Sequence, residues 1–371
     1  MRSSIDPRYV LYLAVVPFYR QHCIDALTEL LGDNVQILTG ADNIDPTVTT
    51  GIDPHQYTRV NNRFVLKRRI LIQTGRWRTA LAADTLVLDL NPRNVSVWTI
   101  STVRRLLHRR TLLWGHLYPR GGAQSRTSWL RKTLRRLGNG TILYSYDEVP
   151  QAKNDLPAQD VWVAPNSLYR SAELEVGQRN NASRESILYV GRLVDTKKVD
   201  LLLRGYARSA LDRQGVTLSI VGAGAARPDL ETLADELGCT DSVRFAGKIT
   251  DPAELREIYS GALCSVSPGY AGLSLTQSLG FGVPMIVADK EPHAPEIELA
   301  RFDGVSFFAA NNPDSLAESL ISVCADPEAL DSAAISASVR KFYSAEAMAQ
   351  GLADALQGIH PSSVEEDTWF S

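Results

Sequence analysis

The feature that most constrains the fold of this chain is a regular alternation of short apolar runs with longer segments whose apolar residues recur every three or four positions. Short apolar runs of this kind predict buried β-strands, and the longer amphipathic segments predict α-helices. Strands that alternate with helices along a chain favour parallel sheets covered by helices on both faces. The pattern therefore predicts an α/β protein.

The alternation runs through both halves of the chain. Strands are predicted at 9–16, 35–39, 85–88, 111–114, 141–144 and 161–164, and again at 187–190, 217–221, 243–245, 263–266 and 284–287. Helices are predicted at 20–31, 95–107 and 128–137, and then at 199–209, 229–237, 253–260, 273–279, 315–324 and 345–356. The helix at 315–324 has favourable start chemistry, because Asn312 can cap it and Pro313 suits a first helical position.

One polar stretch, residues 171–186, interrupts the alternation, and 371 residues are too many for one ordinary core. We therefore predict two doubly wound Rossmann-like domains that face each other across a cleft. The N-terminal domain is expected at 1–170 and the C-terminal domain at 171–345, followed by a C-terminal helix and loose tail at 346–371. In such sheets ligands bind beyond the carboxyl ends of the strands, so functional residues are expected in the loops that follow strands.

The formal net charge of −3 hides a strong asymmetry between the halves. Residues 1–170 contain 23 Lys and Arg against 13 Asp and Glu, a net of +10, whereas residues 171–371 contain 16 and 29, a net of −13. The basic segments 59–78 and 101–136 fit a domain that lies on an anionic membrane. The alternative is a solvated cationic face. Nucleic acid is not expected, because aromatic residues are not interleaved with the basic ones as stacking platforms.

The chain offers no sign of disulfides, metal ligands or a membrane span. Its four cysteines are far apart, which favours a reducing compartment, and no apolar run approaches the roughly 20 residues of a transmembrane helix. His and Cys do not fall at metal-ligand spacings, and there is no Asp-x-Asp motif. We expect a cytoplasmic protein, located at the inner face of the membrane if the basic segments bind lipid, with no metal and no cofactor.

The strongest local signal follows the first strand of the second half. Gly191 allows a tight turn there, and Arg192 and Lys197 place two cations near the start of the next helix. A guanidinium, an ammonium and the positive end of a helix dipole together suit a diphosphate. The alternative is that both are surface charges after an ordinary β–α turn.

Five short motifs follow one another in the second half. They are Gly191-Arg192-Leu193 with Lys197, Ile220-Val221-Gly222-Ala223-Gly224, Val243 with Phe245 and Gly247, Tyr259 and Ala262 with Val266 and Pro268, and Gly282-Val283-Pro284. In this order they resemble the motifs of the sugar-donor domain of glycosyltransferase family 4. The resemblance implies the GT-B fold, a nucleotide-diphosphate sugar bound by the C-terminal domain and an acceptor bound by the N-terminal one. It also implies metal-independent transfer with retention of the anomeric configuration.

This chain departs from the family where two glutamates usually stand eight positions apart. Gly269 and Gln277 occupy those positions. Gln277 is expected to keep part of the nucleotide contact through hydrogen bonds to ribose. The expected sugar-donor-binding residues, taken together, are Gly191, Gly222, Gly247, Lys248, Gly269, Tyr270, Ala271, Gly272, Leu273 and Gln277. For the loop 269–273, whose N–H groups open a helix, the alternative is a plain strand-to-helix turn.

Two further candidates rest partly on the same resemblance. Glu296, in a His-x-Pro-Glu grouping with His293 and Pro295, is expected to reach sugar or ribose hydroxyls, or else to sit in an ordinary helix first turn. His116 follows the strand at 111–114, where family members often place a histidine near the sugar donor. Its alternative is a structural role. We thus predict catalytic roles for His116, Arg192, Lys197 and Glu296.

Acceptor-binding residues are expected in loops after two N-terminal strands. Tyr19 and Arg20 follow the first strand, and Asn91 and Arg93 follow the strand at 85–88. Arg20 could bind an anionic acceptor or a phosphate, and a solvated Arg93 is the alternative for the second loop. The acceptor is expected to be a sugar or a lipid-linked molecule.

The sequence therefore predicts a retaining glycosyltransferase of glycan, polysaccharide or glycolipid biosynthesis. Two rival interpretations stay open. A catalytically inactive protein that binds nucleotide sugars or acts as a scaffold is favoured by the missing glutamates. A nucleotide-sugar 2-epimerase of similar architecture would need acidic residues along the cleft.

Overall fold

The computed structural model describes residues 7–119, 122–174, 176, 185–326, 329–360 and 369. Arg120 of the basic segment, most of the predicted linker at 171–186 and most of the tail at 360–371 lie outside these residues. The described chain divides into two compact units, Met1–Leu168 with Ala345–Ser371 and Tyr169–Ser344. The predicted α/β class with two doubly wound sheets is confirmed.

The first unit is built on a seven-stranded parallel sheet. In chain order its elements are β1 (Tyr9–Leu13), α1 (Gln21–Leu31), β2 (Val35–Thr39), β3 (Tyr57–Arg59), β4 (Asn61–Val65), β5 (Ile70–Thr74), α2 (Trp77–Ala82), β6 (Thr85–Asp89), α3 (Val95–Leu106), β7 (Arg110–Trp114), α4 (Ser128–Arg135), β8 (Gly140–Leu143), α5 (Val149–Asp155) and β9 (Asp160–Val163). The order across the sheet is β3-β2-β1-β6-β7-β8-β9, and β4 and β5 form a separate antiparallel hairpin.

The second unit repeats the architecture with a six-stranded parallel sheet. Its elements are β10 (Ser186–Val190), α6 (Val199–Ser209), β11 (Thr217–Val221), α7 (Arg227–Glu236), β12 (Val243–Gly247), α8 (Pro252–Ser260), β13 (Ala262–Ser267), α9 (Leu273–Gly280), β14 (Met285–Ala288), β15 (Val305–Phe308), α10 (Pro313–Ala325) and α11 (Ser332–Phe342). The order across this sheet is β12-β11-β10-β13-β14-β15. Asn312 caps α10 as predicted, since its side chain accepts from the N–H groups of Asp314 and Ser315.

The last helix, α12 (Ala345–Gln357), belongs to the first unit although it follows the second in sequence. The sequence pattern grouped it with the second half. Its apolar side, which includes Met348, Ala349 and Leu352, joins the core formed by β1, β7 and α1. At Gly351 the helix approaches β9 so closely that a Cβ would lie 1.9 Å from the carbonyl oxygen of Val163. The helix thus covers one face of the seven-stranded sheet.

Each sheet reverses its winding direction once, which fixes where its loops diverge. In the first unit the reversal lies between β1 and β6, and in the second between β10 and β13. Loops that leave neighbouring parallel strands in opposite directions open a crevice beyond the carboxyl ends of those strands. Each unit therefore has one preferred position for a ligand.

Candidate functional site

The crevice of the second unit lies between the loop after β10 and the loop after β13. The first loop holds Gly191, Arg192 and Lys197, and the second holds residues 269–273. The residues predicted to bind the sugar donor thus come from both sides of the point where the sheet reverses. This position follows from the strand order and does not depend on any side chain.

Two glycines allow neighbouring loops to approach the loop after β10 at backbone distance, Gly222 from the loop after β11 and Gly269 from the loop after β13. A Cβ at Gly222 would lie 1.8 Å from the carbonyl oxygen of Gly191, and a Cβ at Gly269 would lie 2.6 Å from that of Thr196. Gly222 also has a φ of 157°, which L side chains rarely adopt. Gly269, where family 4 members carry a glutamate, therefore packs its Cα directly against the turn that contains Lys197, and no side chain fits there.

Lys197 joins the two loops. Its Nζ donates to the carbonyl oxygen of Tyr270 at 2.6 Å and lies 5.0 Å from the centre of the Tyr270 ring. Burial and, to a smaller extent, the nearby charge of Arg192 together lower the pKa of Lys197 to about 8. Arg192 itself is exposed. The crevice therefore contains one half-buried ammonium and one solvent-facing guanidinium.

The loop after β13 leads into α9 without a side-chain cap. Gly272 is the N-cap residue of α9 and can offer no side chain to the first N–H groups of the helix. The N–H groups of Leu273 and Ser274 occupy the first helical positions, where no intrahelical acceptor exists. With the positive end of the helix dipole, these groups suit an anion.

His293 is part of this site and was not predicted as a functional residue. Its Nδ1 accepts the N–H of Ala271 at 3.0 Å, and its Nε2 lies 2.7 Å from the carbonyl oxygen of Ala288. The N–H of Ala294 in turn donates to the carbonyl oxygen of Ala271 at 2.9 Å. The His-x-Pro-Glu grouping in the sequence could have identified His293, but the role predicted from it was that of Glu296.

The remaining residues predicted for the sugar donor occupy different environments. Gln277 is buried in α9, where its Nε2 donates to Tyr169 at 2.6 Å and its Oε1 accepts from Tyr259 at 3.4 Å. This differs from the expected ribose contact, because the amide is already bound to two buried phenols. Glu296 is also buried, in the 3₁₀ turn Pro295–Arg301.

Gly247 and Lys248 lie at the opposite side of the sheet, at the end of the edge strand β12. The carbonyl oxygen of Gly247 accepts the N–H of Gly222 at 2.7 Å, which ties β12 to the turn after β11. Lys248 is exposed. The strand order separates these two residues from β13 by two strands, so the structure does not group them with loop 269–273.

The crevice of the first unit contains a buried arginine. Arg20 follows β1, is only 7% exposed, and lies 4.5 Å from the centre of the Trp114 ring. Its Nη2 donates to the hydroxyl of Tyr144 at 2.7 Å and to Oδ1 of Asn166 at 3.1 Å. The sequence predicted that Arg20 binds the acceptor, whereas the structure buries its guanidinium against the rings of Trp114 and Tyr144.

Three more side chains meet at this edge of the first sheet and were not predicted. Tyr144 and Asn166 follow β8 and β9, and Asp89 ends β6. Oδ2 of Asp89 accepts the N–H of Ala14 at 2.5 Å, and burial raises the pKa of this carboxyl to about 6. Their proximity could not be predicted because they are far apart in the sequence, and only the parallel pairing of their strands brings them together.

His116, predicted to be catalytic, and the predicted acceptor residues Tyr19, Asn91 and Arg93 differ in how far they are exposed. The His116 ring is exposed and lies 4.8 Å from that of Tyr144, so His116 and Arg20 both contact this phenol. Tyr19 is half-buried. Asn91 and Arg93 lie in the loop after β6, where Oδ1 of Asn91 accepts the N–H of Arg93 at 3.1 Å and the Arg93 side chain is exposed.

The basic segment 101–136 is partly structural, which corrects its treatment as a cationic surface. Arg104 and Arg135 are fully buried. Arg104 donates to Thr111 and to a ring of main-chain carbonyls, and Arg135 donates to Thr141 and to the carbonyl oxygen of Ala152. The sequence pattern could not distinguish these arginines from exposed ones, because flanking leucines occur in both settings.

The described residues contain neither a metal-ligand cluster nor a helix that could span a membrane. They contain no group of three or more His, Cys, Asp or Glu side chains placed to hold a metal ion. No helix within the described ranges is long and apolar enough to cross a membrane.

Comparison with known proteins identifies the architecture. Residues 172–341 match the family model described as glycosyl transferases group 1. Among solved structures, the lipopolysaccharide outer core galactosyltransferase WaaB in its apo form aligns with a TM-score of 0.65 and 15% identity over 94% of this chain and 99% of that one. The fold is that of the GT-B glycosyltransferases.

Two further similarities concern ligands and sequence. Anabaena HepE, solved in complex with UDP and glucose, aligns with a TM-score of 0.64 and 14% identity over 94% of this GT-B chain and 99% of its own. An uncharacterized glycosyltransferase of Methanocaldococcus jannaschii is 30% identical over 143 residues, which are 38% of this chain and 36% of that protein. The aligned segment thus spans about a third of that relative. The group 1 match agrees with the resemblance of the second half, whereas membership of family 4 stays a prediction.

Proposed function

We propose that this protein is a retaining glycosyltransferase that moves a sugar from a nucleotide-diphosphate donor to an acceptor hydroxyl in glycan, polysaccharide or glycolipid biosynthesis. The observation that carries the proposal is the crevice of the second unit, where Lys197, Arg192 and the start of α9 meet at the point where the sheet reverses. These are the groups that a diphosphate requires. The UDP complexes of HepE, which shares the fold, support the same choice of ligand.

In the proposed reaction the bond between the anomeric carbon and the diphosphate oxygen breaks while the acceptor oxygen bonds to the same face of that carbon. Negative charge then grows on the leaving diphosphate. Arg192, the ammonium of Lys197 and the N–H groups at the start of α9 stabilise this charge without a metal ion. The departing phosphate oxygen takes the acceptor proton, so no strongly basic side chain is needed.

The acceptor is assigned to the carboxyl edge of the first unit. His116 is exposed there and would hydrogen-bond the acceptor or the transferred sugar, and Tyr19, Asn91 and Arg93 would line the approach. Arg20 would not contact the acceptor directly, because its guanidinium is buried, and would instead orient Tyr144 through the hydrogen bond to its hydroxyl. We propose a sugar or lipid-linked acceptor for this edge.

Turnover with a panel of uridine, guanosine and adenosine diphosphate sugars tests the proposal. Arg192→Ala and Lys197→Ala should each reduce kcat/KM by at least tenfold with folding intact, because each removes a cation from the leaving group. Arg244→Ala is the matched control, since it removes an exposed cation from β12. Full turnover in both site variants would show that the diphosphate is held elsewhere.

A second candidate function is a protein that binds nucleotide sugars without turning them over. The closed contact at Gly269 and the inward-facing amide of Gln277 favour it, because both positions lack the side chains that family members use. Binding of nucleoside diphosphates with no product from any donor would support this candidate over the enzyme.

We also propose that the first unit contacts anionic membrane surfaces from the cytoplasmic side. The β4–β5 hairpin carries the best-placed groups, since Val65 and Leu66 at its tip are exposed beside Arg63, Lys67 and Arg69. Each basic residue near an anionic surface contributes about 1 kcal/mol. The double change Lys67→Ala and Arg69→Ala should therefore weaken binding to phosphatidylserine vesicles about 30-fold.

Vesicle flotation tests this contact. The control is Arg208→Ala with Arg213→Ala, which removes two cations from the second unit. Equal binding of the unmodified protein to neutral and anionic vesicles would refute an electrostatic contact.

A further inference from the structure

One peptide group in the loop after β13, between Tyr270 and Ala271, is held at both of its ends, and the carbonyl of the next peptide is held as well. The carbonyl oxygen of Tyr270 accepts from Lys197, and the N–H of Ala271, the other end of the same peptide, donates to Nδ1 of His293. The carbonyl oxygen of Ala271 accepts the N–H of Ala294. The orientation of this peptide sets the path of the chain into α9, which begins two residues later.

The hydrogen bonds of His293 define its protonation. Because Nδ1 accepts a main-chain N–H, it carries a lone pair and no proton. The ring proton therefore resides on Nε2, which lies 2.7 Å from the carbonyl oxygen of Ala288 and donates to it. Neutral His293 thus links the end of β14, which lies between β13 and the edge strand β15, to the loop after β13.

We propose that His293 is a positioning residue that holds loop 269–273 in the conformation that receives the diphosphate. The inference rests on the proposed function of the same loop. Ala271 is 1% exposed, so its N–H has no access to water while the loop keeps this conformation. Without the imidazole acceptor the peptide must turn to find another partner. That rotation moves the N–H groups of Leu273 and Ser274, which would contact the phosphate oxygens.

This role explains how the loop is ordered although position 269 has no side chain. In the present structure Lys197 holds the carbonyl end of the peptide and His293 holds the N–H end. Lys197 and His293 thereby act on the same peptide from different loops. His293 does not touch the proposed substrate, so it acts through the main chain and not as a catalytic residue.

Two substitutions of His293 distinguish the contribution of Nδ1 from that of Nε2. The carboxamide oxygen of Asn can occupy the position of Nδ1, so His293→Asn keeps an acceptor for the Ala271 N–H. His293→Gln places its carboxamide near Nε2 and loses that acceptor. His55→Gln is the matched control, since His55 is exposed in a turn of the first unit.

Binding of UDP, GDP and ADP is compared with binding of uridine, guanosine and adenosine for each variant. One of the three diphosphates is expected to bind the unmodified protein. His293→Gln should weaken the binding of that diphosphate at least tenfold and leave the binding of the matching nucleoside unchanged. It should raise the KM for the sugar donor and not the KM for the acceptor. His293→Asn should stay within about threefold of the unmodified protein. Equal effects of Asn and Gln, or equal loss of nucleoside binding, would overturn the proposal.

Amide hydrogen exchange over residues 269–274 gives a readout that needs no ligand. Protection of the Ala271 N–H should be lost in His293→Gln and kept in His293→Asn. Unchanged protection in His293→Gln would refute the loop-holding role even if turnover fell. If protection changes as expected while no diphosphate binds the unmodified protein, His293 holds the loop and the proposed function fails by itself.

Discussion

At the scale of single residues, Lys197 makes the proposed site sensitive to pH. Its pKa is lowered to about 8, chiefly by burial, so the side chain is an ammonium below that pH and a neutral amine above it. A bound diphosphate favours the charged form, which means that binding weakens as the proton is lost. We expect the KM for the sugar donor to rise as pH increases from 7 to 9.

The control for this pH dependence is Lys197→Arg, because an arginine stays charged throughout the range. The alkaline rise in KM should disappear in that variant even if its absolute activity is lower. An identical alkaline limb in Lys197→Arg would assign the titration to another group.

Gly269 shows at the same scale why a glutamate, such as family 4 members carry at the corresponding motif position, does not fit here. A Cβ there meets the carbonyl oxygen of Thr196 at 2.6 Å, and backbone cannot move aside as a flexible side chain can. Gly269→Ala should therefore lower the free energy of unfolding by about 1–3 kcal/mol, and Gly269→Glu should be worse without gaining activity. Urea unfolding measures both.

Gly261→Ala is the matched control for this substitution. The nearest atom to a Cβ at Gly261 is 3.8 Å away and its φ is negative, so the change should be almost neutral. Higher turnover of Gly269→Glu than of the unmodified protein would show that the loop opens readily in solution.

At the scale of elements, α3 illustrates how a basic run can be structural. Nη1 of Arg104 donates to the carbonyl oxygens of Ala80 and Ala83, and its Nη2 donates to that of Arg110. The guanidinium thus ties the end of α3 to the end of α2 and the start of β7. Arg104→Leu leaves these carbonyls without their donor and should cost about 3–5 kcal/mol in the free energy of unfolding.

The adjacent Arg105 provides the comparison. It lies on the same helix and is exposed, so Arg105→Leu should change the stability by less than about 0.5 kcal/mol. Similar losses in the two variants would indicate that helix propensity or net charge dominates, not the buried network.

The helices and strands that could be predicted are those whose apolar pattern coincides with burial. β2, β11 and α6 have the predicted bounds, because every second or third residue in them packs into a core. The hairpin β4–β5 was missed because β4 alternates half-buried with exposed residues, and β5, although Leu71 and Gln73 are buried, contributes little to either main core. α5 was missed because it is short and buries only Val149 and Ala152, whereas α11 was missed although Ile335, Val339 and Phe342 recur at helical spacing.

At the scale of the whole molecule, strand order decided which predicted residues come together. The sequence predicted that functional groups follow strands, and parallel pairing then placed Lys197 beside loop 269–273. It could not predict which way a side chain faces. Arg20 and Gln277 turn inward to buried phenols, and His293 bonds to main-chain groups on either side of it. Such contacts depend on residues more than a hundred positions apart in some cases, which no local pattern records.

The last helix shows that chain order and structural units differ, and this has a measurable consequence. Leu352 of α12 is fully buried in the core of the first unit, whereas Leu316 of α10 is fully buried in that of the second. Leu352→Ala should cost about 2–5 kcal/mol and raise amide exchange in β1 and α1. Leu316→Ala should cost a similar amount but raise exchange in β10 and α6, because the Leu316 side chain packs against Gly205 of α6. If Leu352→Ala instead accelerated exchange in β10 and left β1 protected, α12 would stabilise the second unit in solution, and the grouping suggested by sequence order would be the correct one.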